Sequence, residues 1–413
     1  MFHLIRMPML ASACLAGALT CPGAATADDL TAGFVSPPAE ARPWVYYFIM
    51  DGNLTREGLT ADFEALDRAG IGGLILMEVD AGIPRGPVPF LSGPWRELFR
   101  HAVSEAERLD LHITLNAGPG WTGSGGPWVK PEQSMQHIVA SETRVRGPQR
   151  FDAVLPQPLP RKPFFGEDGL PPELVQARQA FYRDVAVLAF PTPDGDRRIA
   201  DIDEKALYFR APYSSQPGVK PFLPAPAEHP VLPANECIAP DRIVDLARQL
   251  AADGRLVWDA PEGDWTVLRF GRTSTGQNTR PAPQAGLGLE CDKFDRAALE
   301  AHFEAFVGSL LHTVGPRANP GRGWTMLHLD SWEMSSQNWS AKFREEFQQR
   351  RGYDLLSYLP AMTGRVVQSL EVSERFLWDL RRTAQELVIE NHAQHLKTLG
   401  RRHGSVCPSS RTT

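Results

Sequence analysis

Over the first third of the chain, short apolar runs alternate with polar stretches whose own apolar residues fall three and four apart. Residues 44–50, WVYYFIM, read as a strand that ends on Asp51-Gly52-Asn53, a turn signal. Leu59, Phe63 and Leu66 then recur at helical spacing until Ala69-Gly70. A second apolar strand follows at 73–79, GLILMEV, with Glu78 and Asp80 at its C-terminal end. Residues 95–109 give a second amphipathic helix, with Leu98, Ala102, Ala106 and Leu109 on one stripe. A third strand at 112–116 opens into a glycine-rich stretch. Strand and helix in regular alternation predict a parallel sheet with right-handed crossovers, and the polar residues of interest all fall at strand C-termini. An open doubly wound sheet shares that feature with a barrel. No GxGxxG follows the first strand, which argues against a nucleotide-binding sheet.

From 138 to 271 the rhythm breaks into prolines, charged turns and alternating runs such as DVAVLAF at 184–190 and DWTVLRF at 264–270. This reads as an inserted β-rich subdomain, because an irregular excursion of that length is rare in a compact domain. Leu155-Pro156-Gln157-Pro158 and Pro171-Pro172 mark its loops. A helix over 296–314 then carries Leu299, Phe303, Phe306 and Leu310 on one stripe, and 324–329 supplies a fourth strand. Ser340 is placed to cap a helix bearing Phe343 and Phe347, and 372–403 is a long helical pattern with Gly404 at its C-cap.

Composition is that of a globular enzyme, 42% hydrophobic and 22% charged over 413 residues. A formal charge of −6 without any Lys/Arg-rich run argues against a nucleic-acid partner. Arg6, the apolar 7–20 and Ala25-Thr26-Ala27 have the layout of an export signal cleaved after Ala27, so the expected location is periplasmic or secreted. An uncleaved anchor is the alternative, although the apolar stretch falls short of the ~20 residues a span needs. A lipid on Cys14 or Cys21 is another. No membrane segment is expected after cleavage. Cys237, Cys291 and Cys407 are widely spaced without a CxxC, which excludes a disulfide framework or zinc site and leaves one incidental disulfide at most.

Candidate chemistry concentrates in HLDSWEMSSQNW at 328–339. Asp330 and Glu333 lie where the apolar run 326–329 opens into a loop, flanked by Trp332, and a carboxylate pair at a strand end is how sugar-cleaving barrels build their sites. Glu333, between Trp332 and Met334, is the candidate proton donor, since desolvation raises a carboxyl pKa. Asp330 suits a sugar hydroxyl or a metal. A capped structural loop is the competing reading. Asn116 begins NAGPGWTGSGGPW, whose glycines let backbone approach a ligand and whose Trp121 and Trp128 offer stacking faces; a tight turn with core tryptophans is the competing reading. Glu290 and Asp292, in Glu290-Cys291-Asp292-Lys293, suit hydroxyls or a hard cation such as calcium, or Asp292 pairs with Lys293 or an arginine. Asp51, Glu78 and Asp80 are either site residues or helix caps. His101, His137, His392 and His395 have no metal-like spacing.

Read together, RPWVYYFIMDGNLTREG (42–58), AGIGG (69–73), GPVPFLS (86–92), NAGPGWTGSGGPW (116–128), GLECDKF (288–294) and HLDSWE (328–333) resemble glycoside hydrolase family 106, the α-L-rhamnosidases. The resemblance runs from Arg42 to His403. It implies a (β/α)8 TIM-type barrel, inverting hydrolysis of terminal α-L-rhamnose from an oligo- or polysaccharide, and a calcium ion that helps hold the sugar. The family's acid maps onto Glu333; the residues expected around the substrate from their places at strand ends and in loops are Asp330, Trp332, Asn116, Trp121, Asp51 and Glu78. The fold expected is then α/β, the first half of such a barrel with the β-rich insertion. Its parts are a signal peptide at 1–27, barrel at 28–137, the insert at 138–271, barrel again at 272–404 and an aberrant tail at 405–413. Family members continue for several hundred residues, whereas Ser405-Val406-Cys407-Pro408 does not read as the next strand. On this reading the chain is a truncated or frame-shifted product without its catalytic base, weakly active or inactive. The alternative is a non-catalytic carbohydrate-binding remnant.

Overall fold

A computed structural model describes residues 27–164, 166–167, 169–209, 229–317 and 319–403. The export signal up to Thr26, the cap at Gly404 and the tail with Cys407 lie outside these described residues. The described residues up to Arg42 belong to one unit, in which α1 (Ala27–Val35) is followed by a short turn at Ala39–Ala41.

The second unit, from Pro43, opens with β1 (Trp44–Met50), α2 (Arg56–Arg68), β2 (Gly73–Val79), α3 (Gly93–Arg108) and β3 (His112–Asn116). Their bounds follow the periodicity closely because each apolar run is closed by a turn and each helix is locally capped. Thr55 Oγ1 accepts from Gly58 N at 3.0 Å, and Ser92 Oγ accepts from Trp95 N at 3.3 Å. Next come β4 (Gly125–Gly126), β5 (Gln136–Val154), α4 (Pro172–Ala180), β6 (Tyr182–Pro191), α5 (Ile202–Lys205), β7 (Val244–Asp245), β8 (Arg255–Ser274) and β9 (Leu289–Glu290). The order ends with α6 (Arg296–Phe303), α7 (Ser309–Val314), β10 (Gly323–His328), α8 (Phe343–Arg351), α9 (Leu370–Leu387) and α10 (Gln394–Arg402).

The fold is mixed α/β. One sheet has the order β1-β2-β3-β10, all parallel, so β3 takes β10 as its neighbour across the whole intervening segment. The sheet is open, with β1 and β10 as its edges. Helices cover one of its faces: Leu74, Leu76, Ile113 and Leu327 pack with Phe63, Phe99, Phe303 and Leu396. On the other face Trp44, Tyr46 and Phe48 are 37%, 51% and 40% exposed. They alternate with the more buried Val45, Tyr47 and Ile49, as the period of two requires.

The second sheet, β5-β8-β6-β7, is antiparallel. Leu188, Phe190, Leu268 and Phe270 on one side share a core with Phe343, Phe347, Phe376 and Leu380 of α8 and α9. Val145, Val187, Leu256 and Val267 form a separate core on the other.

Two local expectations are corrected. Pro171-Pro172 does not mark a loop: Pro172 starts α4, where a missing N–H costs nothing. Ser340 does not cap α8 with its side chain. Lys342 holds the cap position, and the Ser340 carbonyl accepts from Phe343 N at 3.3 Å. Both long C-terminal helical patterns contain a π turn, at Glu304–Gly308 and Val388–Ala393. Cys237 and Cys291 are free thiols. Among the described residues no helix is long and apolar enough to cross a membrane.

Candidate active site at the strand ends

Parallel strands bring the C-terminal ends of β1, β2, β3 and β10 to one side of the sheet, and the candidate residues sit there. Just beyond β10, Asp330 is held from three directions. Its Oδ2 accepts from the Tyr46 hydroxyl at 3.0 Å and lies 3.0 Å from His328 Nε2, while Oδ1 accepts from Ser331 Oγ at 2.9 Å. Partial burial pushes this carboxyl up, but the hydrogen bonds from His328, Ser331 and Tyr46 outweigh it and keep Asp330 below the usual carboxylate range. Asp330 is therefore an ionised acceptor with a fixed direction.

Glu333 is half-buried, not enclosed as its apolar neighbours suggested. Met334 is buried, and Trp332, 40% exposed, donates Nε1 to Ser335 O at 2.7 Å. Trp332 lines a cleft of about 270 Å³ with Phe294, Arg381 and Val388, which Glu333 does not line. Among the described residues no hydrogen bond or ion pair engages the Glu333 carboxylate, so it is free to meet a ligand. Ser335, at φ 59°, turns the loop back into the protein.

Of the carboxyls at the ends of β1, β2 and β10, the strongly desolvated one is Glu78. Burial pushes it up to about 8, aided by the nearby Asp51 charge and opposed by the hydrogen bonds it accepts from Trp95 Nε1 (3.0 Å) and Gly52 N (3.1 Å). Those bonds tie the turn after β1 to α3. Asp51 is buried at φ 43°, with Arg85 Nε 3.5 Å from its Oδ2. Asp80 accepts from Gly82 N at 2.9 Å and shapes the turn after β2.

Asn116 donates Nδ2 to the carbonyls of Gly118 (3.0 Å) and Gly120 (2.6 Å), and its Oδ1 is buried without a partner. The glycine-rich loop thus serves backbone packing. Gly120 N donates to Glu78 O at 2.9 Å, and Trp121 N to Arg280 O at 2.8 Å. At Gly120, φ 74°, a Cβ would lie 2.6 Å from the Arg280 carbonyl oxygen. Trp128 stacks on Phe306 inside the core. Trp121 is half-buried, edge-on to Phe48 at 5.5 Å, and Phe48 stacks on Tyr46 at 5.5 Å. Tyr46, Phe48 and His328 were not singled out in the sequence. The aromatic parity of WVYYFIM, one ring at each of 44, 46 and 48, was the available signal.

Glu290 and Asp292 fit poorly as calcium ligands. Glu290 is fully buried, and its oxygens accept from Thr122 Oγ1, Ser124 Oγ (2.9 Å) and the Lys293 ammonium (2.9 Å). An ammonium in that position repels a cation. Burial raises the Glu290 pKa, but Lys293 and the two hydroxyls bring it below the usual range. Lys293 therefore pairs with Glu290, not Asp292. Asp292 Oδ1 accepts from Gln337 Nε2 (2.6 Å) and Phe294 N (2.8 Å), and burial pushes its carboxyl up to about 7. Among the described residues no group of three or more His, Cys, Asp or Glu is arranged to hold a metal.

The sequence model of the glycoside hydrolase family 106 α-L-rhamnosidases matches residues 35–405. A protein of Formosa agariphila named "Putative beta-glucuronidase" is 37% identical over 376 residues, 91% of this chain and 30% of that protein. A rhamnosidase structure from Novosphingobium sp. PP1Y is similar with a TM-score of 0.73 at 28% identity, over 92% of this chain and 46% of that one. The chain spans less than half the length of either relative. With a match over nearly its whole length, the chain belongs to the α-L-rhamnosidase family of glycoside hydrolases, family 106.

Proposed function

We propose that this chain carries the proton-donating part of an inverting α-L-rhamnosidase acting on terminal α-L-rhamnosyl groups of an exported enzyme's glycoside or polysaccharide substrates. The observation that carries the reading is the pairing, after one parallel strand, of a clamped, ionised Asp330 with an unengaged Glu333. The four parallel strands with helices on one face suit a segment of a (β/α)8 barrel, whose interior the aromatic face of β1 would then line.

In this reading Asp330 accepts a sugar hydroxyl, and Tyr46, Phe48 and Trp121 offer ring faces to the sugar. Glu333 gives its proton to the glycosidic oxygen as the C1–O bond breaks. Water adds to C1 from the opposite face and loses a proton to a second carboxylate, roughly 6.5–9.5 Å from the acid in inverting enzymes. No described residue is assigned that base.

The test compares two rhamnosides. An alkyl leaving group needs its oxygen protonated, whereas nitrophenolate leaves without help. Glu333→Gln should lower alkyl rhamnoside turnover by about 10²–10⁴-fold and nitrophenyl rhamnoside turnover far less. Equal losses on both substrates would remove Glu333 as the acid. Turnover of a β-D-glucuronide in preference to either rhamnoside would overturn the substrate assignment.

A further inference from the structure

Positive charge gathers in a second cleft built from other elements. Arg144 of β5, Arg197 and Arg198 after β6, and Arg365 between α8 and α9 line it together with Asp196 and Glu236. Its walls are fixed by backbone bonds between these segments: Ile199 N donates to Gly364 O at 2.8 Å, Ile238 N to Val366 O at 2.9 Å, and Asp194 N to Asn235 O at 2.8 Å. Arg365 is held in the wall by Thr363 and Glu142, whereas Arg144, Arg197 and Arg198 reach the cleft from exposed positions.

Three carboxylates, Glu142, Asp196 and Glu236, stand against the four arginines. Glu142 is shared by Arg144 and Arg365. Glu236 stands 3.8 Å from Arg197 Nε, beyond hydrogen-bond distance. Arg198 meets no carboxylate among the described residues, and its Nη1 donates to the Arg197 carbonyl at 3.1 Å. Arg365 is 7% exposed. Burial disfavours its charge most and Glu142 opposes that, while Arg198 and Arg144 disfavour it further. A buried guanidinium with three more within reach gains from a planar or tetrahedral oxyanion that accepts from several N–H groups at once. The enclosed space is about 20 Å³. That seats about one oxygen-sized group, so an oxyanion would place a single oxygen there with the rest of the group at the mouth, and a sugar ring is too large to enter.

We propose that this cleft binds a single oxyanion, the carboxylate or sulfate group of an acidic glycan, with the sugar itself remaining outside. The glycan carrier rests on the glycosidase reading; the oxyanion rests on the arginines alone. The test titrates the purified chain calorimetrically with inorganic sulfate, glucuronate, a sulfated monosaccharide and glucose, at ionic strength held constant with chloride. Saturable binding of sulfate and of at least one acidic sugar, with none of glucose, is the expected result. Arg198→Ala, at an exposed position, should weaken it about tenfold without moving the melting temperature. No saturation by any oxyanion, or equal binding by wild type and Arg198→Ala, overturns the site. Binding of inorganic sulfate but of neither acidic sugar overturns the glycan carrier. Hydrolysis is not the readout, so failure of the rhamnosidase reading leaves these outcomes interpretable.

Discussion

Replacing Glu78 by glutamine isolates the effect of burial on a single charge. In the unfolded chain this carboxyl titrates near its ordinary 4.5, whereas in the folded protein burial holds it protonated up to about 8. Between those values the folded state keeps a proton that the unfolded state has lost. Stability from this group is complete below pH 4.5 and is lost as pH rises through 8. At 1.36 kcal/mol per pH unit the loss by pH 8 is roughly 5 kcal/mol, a large part of a typical domain's stability. Glu78→Gln cannot ionise. Gly52 N and Trp95 Nε1 reach different oxygens of Glu78, and in glutamine one of those positions is an NH2 that cannot accept, so the variant carries a pH-independent deficit of about 1–3 kcal/mol. Wild type should be the more stable near pH 5, and Glu78→Gln the more stable above pH 8. Urea unfolding followed by tryptophan fluorescence from pH 5 to 8.5 measures both curves. Stabilities that stay parallel within about 0.5 kcal/mol across that range would show that burial does not hold the proton, and the argument would fail.

Lys293→Met leaves Glu290 buried without its cation and should cost about 3–5 kcal/mol in urea unfolding, with partial recovery in the double variant Lys293→Met/Glu290→Gln. Gly120→Ala puts a Cβ against the Arg280 carbonyl at a positive φ and should destabilise by about 1–3 kcal/mol, read as a lowered urea midpoint. Tyr46→Phe removes one of the bonds that hold Asp330 ionised. The acid limb of the rhamnoside kcat/KM profile should move up in pH, with the melting temperature unchanged because Tyr46 is half exposed.

The first three strands were legible because each is an apolar run ended by a turn, so periodicity and punctuation agree. β5 escaped notice along most of its length. From Ala140 onward it is mainly exposed, and SETRVRGPQR has no continuous apolar face to read; its partner β8 supplies the order. In the site, Asp330 and Glu333 could be found from the motif. Tyr46, which clamps Asp330, is 284 positions away in sequence, and no local pattern links the two.

The sequence by itself determined the alternation of strands and helices, the strand ends where carboxylates gather and the motifs shared with family 106. Only the tertiary structure decided what each carboxyl experiences. Met334 and Trp332 beside Glu333 suggested desolvation, yet that residue is half-buried. Glu78 is the desolvated one, because α3 brings Trp95 over it and the β1 turn closes on it. Likewise Glu290 lost its claim to a metal when Lys293, Thr122 and Ser124 converged on it. Chain neighbours fix where a side chain starts, but its solvation and charge depend on every segment that packs within a few ångströms, and those segments are chosen by the fold.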